Sequence, residues 1–249
     1  MGVVFGRTGS KEPPYKVIFQ SSNYSIRKYD SMRTAEIIQT HDNDSNNSFR
    51  ALARYIGVYG SAENLLNNQA IPIPMTVPVL VRTARTPVRP DETSLQEPIP
   101  SLVVRDPAPP VRHTRETIMS FVLPSQYSSV SREEVPTPLN SDIIISEVPG
   151  KLVAVKTFSG YCSSEVSEAV CRRFYRDLVV QHASQFLVPS AMMAVSAGGS
   201  RECLDTFQWH VAQYHPPFTL PFLRKNEIWI EMDPDREDSL VAAALQASA

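Results

Sequence analysis

The sequence reads as an α+β fold in which duplicated βαββ units form a distorted antiparallel β-barrel flanked by two helices. Three observations predict it. Most of the chain consists of short runs of alternating apolar, β-branched and aromatic residues, the pattern of half-buried strands. Only two segments have helical spacing instead. Each of these falls between one strand-like run and a later pair of runs, so strand, helix, strand, strand occurs twice in order.

In chain order, Tyr15 to Phe19, Tyr24 to Tyr29 and Arg33 to Ile38 are the first predicted strands. The first predicted helix spaces Phe49, Leu52, Ala53 and Ile56 on one side, after a Ser/Asn-rich start and before Gly57, a residue suited to stopping a helix. Strands follow at Ile73 and from Thr117 to Val122. Between them, Arg82 to Glu116 carries seven prolines, no glycine, and six arginines against five acidic residues. Proline lacks the N–H that a helix or ladder needs, so the segment reads as a long loop inserted between strands. Its P-x-x-P spacings, such as Pro87 to Pro90 and Pro107 to Pro110, offer polyproline surface to a protein partner. Strands return at Asp142 to Ser146 and Lys151 to Phe158. The second helix follows Ser163-Ser164 and spaces Val166, Ala169, Val170, Phe174 and Leu178 along one face. Thr206 to Tyr214 and Glu227 to Glu231 are the closing strands.

Composition narrows the function. A net charge of −2, from 24 basic and 26 acidic residues, lacks the basic field on which broad binding to nucleic acid or anionic membranes depends. The longest uncharged apolar stretch, Ile71 to Val81, has 11 residues and three prolines, whereas a membrane-spanning helix needs about 20 residues. Val3, Val4 and Phe5 are too short an apolar run for a secretory signal, and Gly6 stands where a myristoylation motif wants Ser or Thr. Three cysteines, Cys162, Cys171 and Cys203, are an odd number without a Cys-x-x-Cys pair. That fits reduced thiols, and a cytoplasmic location is expected.

Catalytic motifs are absent from the sequence: there is no H-E-x-x-H, no G-x-S-x-G and no glycine-rich phosphate loop. Of the five histidines, His182 reads as a helix-end residue and His113 as exposed in the Pro-rich loop. His210 shares a strand face with Gln208 and Ala212, opposite Phe207, Trp209 and Val211, and reads as a surface residue. His41 and His215, beside turn residues at strand ends, are the two candidate metal ligands.

Five groups of residues, in order, carry a resemblance. They are Tyr24-Ser-Ile-Arg-Lys-Tyr29; Phe49-Arg-Ala-Leu-Ala-Arg-Tyr-Ile-Gly57; Gln69-Ala-Ile-Pro-Ile-Pro-Met-Thr-Val-Pro-Val-Leu80; Met119-Ser-Phe-Val-Leu-Pro-Ser-Gln-Tyr127; and Tyr214-His-Pro-Pro217 followed by Asn226-Glu-Ile-Trp229. Over residues 13–232 the chain resembles the SOUL haem-binding protein family, and its opening Gly2-Val-Val-Phe-Gly6 resembles the plant-type cytosolic branch. The resemblance implies a domain at 13–232 with a Pro-rich insertion at 82–116, an N-terminal arm at 1–12 and a tail at 233–249. It also implies that haem or another tetrapyrrole binds non-covalently in a shallow apolar groove between the first helix and the strands beside it. Such a groove needs an apolar wall for the ring and Arg or Lys for the propionates. Arg54 matches a basic position the family uses near the propionates, with Arg50 beside it and Phe49 and Ala53 expected at the groove edge. The segment from Tyr214 to Lys225 supplies the matching wall, with Tyr214, His215, Phe218, Phe222 and Arg224. Two departures matter. Lys28 replaces the axial histidine proposed for one branch, and Thr219 stands at a lysine-like position after the Pro-Pro pair. No cysteine precedes a proline, so a Cys-Pro haem-regulatory site is absent.

The leading expectation is therefore a haem or porphyrin carrier without catalytic residues, with no nucleic-acid partner and no membrane span. An alternative is a hydrolase-like enzyme acting on an apolar small molecule in the same groove, for which carboxylates such as Glu36 or Glu227 with raised pKa would be the sign. A third is a protein-interaction module using the Pro-rich loop or the second helix. Related members carry a pro-death motif on that helix, but here Asp177 is followed by Leu178 rather than the expected glycine.

Overall fold

The computed structural model describes residues 10–39, 45–87, 113–182, 204, 207–216 and 219–232. His41, Phe218, Cys203, most of the Pro-rich loop, the first nine residues and the tail beyond Met232 lie outside the described residues. The first part of the chain forms β1 (Tyr15–Gln20), β2 (Ser25–Tyr29), β3 (Met32–Gln39) and α1 (Ser45–Ile56). A short β4 (Asn64–Leu65) precedes β5 (Val79–Pro87) and β6 (His113–Val122). Then come β7 (Thr137–Pro138), β8 (Ile144–Val148), β9 (Lys151–Phe158), α2 (Ser164–His182), β10 (Trp209–Gln213) and β11 (Asn226–Met232).

Nine strands make one antiparallel sheet in the order β1-β2-β9-β11-β10-β5-β6-β3-β8, which curls into a half-barrel and stays open at β1 and β8. β4 and β7 pair separately. In this sheet β6, the second strand of the hairpin after α1, lies against β3, the strand before it. β11 has the same relation to β9 on either side of α2.

Alternation assigns the side chains to two faces. On one face α1 seats Leu52, Ala53, Tyr55 and Ile56 over Ala35, Ile37, Met119, Phe121 and Val79. On that same face α2 seats Cys171, Phe174 and Leu178 over Ile26, Leu152, Ala154, Val211, Ile228 and Ile230. Val81 on β5 touches both cores and marks the seam between them. The opposite face carries no helix among the described residues, yet it is also buried: Tyr29, Leu80, Val122, Val153, Val155, Ala212, Tyr214 and Trp229 form a third core. The curl lets these side chains cover one another, each large one contributing about 1.5–3 kcal/mol of apolar burial.

Three expectations need correction. No strand forms at Ile73; Pro72, Pro74 and Pro78 remove ladder donors, and β5 begins only at Val79, after a cis Val77–Pro78 bond. The ends of the Pro-rich segment are paired rather than looped, with the β5–β6 ladder running on to Pro87 opposite His113. His210 is buried, at 7% exposure, because the second face of the sheet is a core and not a solvated surface.

Candidate functional site

α1 is amphipathic, so the residues not needed for its core contacts project outward. Arg50 and Arg54 stand one turn apart on that outer side, both exposed, and neither enters an ion pair among the described residues. Phe49 is partly buried and meets Phe121 edge to face at 5.4 Å between ring centres. Ala53, expected at the groove edge, is fully buried in the core instead.

From Phe121 one row of the sheet runs across the seam: Phe121 is opposite Val79, Val79 opposite Gln213, and Gln213 opposite Asn226. Residues so paired share a face, here the helix-bearing one. Three strand spacings set the ends of this row about 14 Å apart. At the far end lies the predicted second wall. It is tied to the start of α2 by Gly160 N–H donating to Pro221 O at 3.0 Å and Asn226 Nδ2 donating to Gly160 O at 3.1 Å. Phe222 is 71% exposed there, near exposed Leu220 and Tyr161. Arg224 donates from Nε to Thr219 O at 2.8 Å and lies 4.7 Å over the Tyr161 ring. His215 Nδ1 accepts the Lys225 backbone N–H at 3.0 Å. A neutral ring in that arrangement carries its proton on Nε2, the reverse of what an Nε2 iron ligand requires.

Tyr214 does not join this row. It lies in the core of the helix-free face, where its hydroxyl donates to Glu227 Oε2 at 2.6 Å. Glu227 is fully buried and also accepts from Trp229 Nε1 at 2.8 Å and from both Arg27 terminal nitrogens at 3.2 Å, with Lys225 Nζ at 3.4 Å. Burial alone would raise its pKa, but the Tyr214 hydroxyl, Arg27, Trp229 and Lys225 together hold it below the ordinary carboxylate value. The enzyme reading asked for a raised carboxylate in the groove; Glu227 is lowered and faces away from α1. Glu36 also faces the helix-free side, in register with Ser120.

The predicted residues thus fall into two groups, Phe49, Arg50 and Arg54 on α1, where Phe49 meets the row at Phe121, and His215, Phe222 and Arg224 in the segment between β10 and β11. The Glu227 cluster escaped sequence reasoning, although Arg27 and Tyr29 alternate in one motif and Glu227 and Trp229 in another, the spacing that aims both members of each pair to one face. Among the described residues no group of His, Cys, Asp and Glu could hold a metal ion, and no helix is long and apolar enough to cross a membrane.

Residues 10–231 match the family described as SOUL heme-binding protein. No curated protein matches the chain. Similar solved structures include the C-terminal domain of EcmrR, at 7% identity and a TM-score of 0.43, covering 88% of this chain and 98% of that one. A hydrolase encoded by lin2189 from Listeria innocua is 10% identical with a TM-score of 0.44, covering 85% and 92%. A putative bacterial transcription regulation protein from Staphylococcus aureus MU50 is 9% identical with a TM-score of 0.40, covering 86% and 99%. Likenesses this distant carry no functional weight.

Proposed function

The chain belongs to the SOUL heme-binding protein family, and from that premise we propose that it binds haem or a related tetrapyrrole on the helix-bearing face and buffers or carries it in the cytosol. The observation that carries the reading is the pair Arg50 and Arg54, two exposed cations one turn apart with no ion-pair partner among the described residues, beside the partly exposed Phe49. Guanidinium forks pair well with carboxylates, and two of them at this spacing suit the two propionates of a porphyrin edge. Phe49 and, across the seam, Phe222 supply apolar and aromatic surface for the ring. Arg224, committed to Thr219 and Tyr161, shapes the far wall rather than offering free charge.

Iron is not needed for this mode of binding. His215 would have to give up the Lys225 hydrogen bond to present Nε2 to a metal, so face contacts and propionate pairing dominate and discrimination between haem and the metal-free ring is low. The cytosolic assignment is supported by Cys162 and Cys171, neither of which is in a disulfide.

An absorption titration with ferric haem, run in parallel with metal-free protoporphyrin, tests the reading. Saturable one-to-one binding of both is expected, with a shifted Soret band. Arg54→Ala should weaken binding by about 1.5–3 kcal/mol, the range for a charge-assisted hydrogen bond, without moving the unfolding midpoint, since Arg54 is exposed. Unchanged affinity would remove Arg54 from the site, and no saturable binding of either ring would overturn the proposal.

A further inference from the structure

We propose a second ligand site, on the helix-free face around Glu36, for an apolar molecule bearing a protonated amine. Carboxylates on that face are treated differently: Glu231 is bound to Lys151 Nζ at 2.5 Å. Glu227 has its counter-charge built in, from Arg27 and Lys225. Glu36, part-buried on β3, has only hydroxyls: Thr34 Oγ1 donates to Oε1 at 2.8 Å, Ser120 Oγ to Oε1 at 3.2 Å and Ser146 Oγ to Oε2 at 3.4 Å. These come from β3 and from the strands on both sides of it, β6 and β8, so they fix the carboxylate's orientation without neutralising it. Among the described residues, no Lys, Arg or His lies within ion-pair distance of Glu36.

The surroundings select the kind of cation. Ile144 lies opposite Glu36 in register, and Ile38 is two residues along the same side of β3. They are 48% and 44% exposed, and Ile118 backs Ile38 on β6. An oriented carboxylate with no ion-pair partner among the described residues and with exposed aliphatic side chains beside it offers an ion pair and apolar contact together. A hydrated inorganic cation would use only the first. An alkyl or aryl ammonium uses both.

Calorimetric titration of the full chain with n-octylammonium and, separately, with n-octanol tests this, because the two probes differ only in the charged end. The site requires saturable octylammonium binding at least about tenfold tighter than octanol, the minimum for a hydrogen bond to a charged group. Glu36→Gln should abolish that preference while leaving the circular dichroism spectrum unchanged. Labelled isoleucine methyl resonances of Ile38 and Ile144 should move on titration, and that of Ile56 beneath α1 should not. Equal affinity for the two probes, no saturable binding, a preference that survives Glu36→Gln, or shifts confined to Ile56 would each overturn the proposal. The wild-type probe comparison and the methyl shifts decide the matter even where the Gln variant does not fold.

Discussion

Burial pushes the His210 imidazole well below its ordinary pKa of 6.5, helped by the charges of Lys151 and Arg82. Glu231 also faces it, at 3.5 Å from Nδ1, but is itself bound to Lys151 at 2.5 Å. Below pH 6.5 the unfolded chain therefore holds a proton that the folded chain excludes, so stability falls on acidification and is restored as pH rises. The slope from one such group cannot exceed about 1.4 kcal/mol per pH unit. Urea unfolding at pH 7.5 and 5.5 should show the wild type losing about 1 kcal/mol more than His210→Gln. An equal loss in both would mean that Glu231 offsets the two cations. Neither the burial of His210 nor the charge of Glu227 was legible in the sequence. Alternation correctly gave His210 a face opposite Trp209 and Val211, but whether that face is wet depends on the curl of nine strands. Arg27 meets Glu227 across 200 positions of chain, a separation no local pattern reports.

Elements were more legible, because their signals are local. Gly57 ends α1 as expected, in the left-handed region at φ 89°. Its N–H bonds to Arg54 O at 3.0 Å and that of Val58 to Ala53 O at 2.9 Å, the pair of bonds that closes a Schellman cap. A Cβ there would lie 3.2 Å from the Ala62 Cβ. Gly57→Ala should therefore cost more than about 1 kcal/mol, since strain and crowding outweigh any entropy gained in the unfolded chain; an unchanged urea midpoint would contradict this. Ser163 likewise behaves as the predicted cap of α2, its Oγ accepting the Val166 N–H at 3.3 Å. The family resemblance pointed to Arg54 with Arg50 beside it, but helical period could not separate Phe49, which is partly buried, from Ala53, which is fully buried. Several residues that carried the family resemblance turn out to hold the fold. Tyr55 donates to Pro136 O at 2.8 Å, Asn226 ties β11 to Gly160 ahead of α2, and Glu227 accepts from Trp229 on its own strand and from Arg27 on β2. The row that joins Phe121 to Asn226 was not legible, because it follows from the β5–β10 register, set between strands more than a hundred residues apart.

At the scale of the whole molecule, connectivity interlocks the two helical halves. β2 precedes β3 in the chain yet pairs with β9 in the α2 half, while β3 pairs with β6 and β8 in the α1 half. β8 and β9, joined by only two residues, also divide between the halves. The direct joint, β5 against β10, is short, running from Val79–Gln213 to Val81–Val211. The third core also spans both halves, Leu80 and Val122 of one packing with Val153, Val155, Ala212 and Trp229 of the other, so the chain should unfold as one unit. Both tryptophans, Trp209 and Trp229, lie on strands of the α2 half, so their fluorescence reports that half and the third core it shares with the other. Leu52, fully buried under α1, belongs to the other. Leu52→Ala should cost about 2–5 kcal/mol from lost burial and the cavity left behind, and the tryptophan transition in urea should move to lower denaturant together with the circular dichroism transition. A tryptophan midpoint that stays in place while the circular dichroism midpoint falls would show that the halves unfold separately despite the exchanged strands.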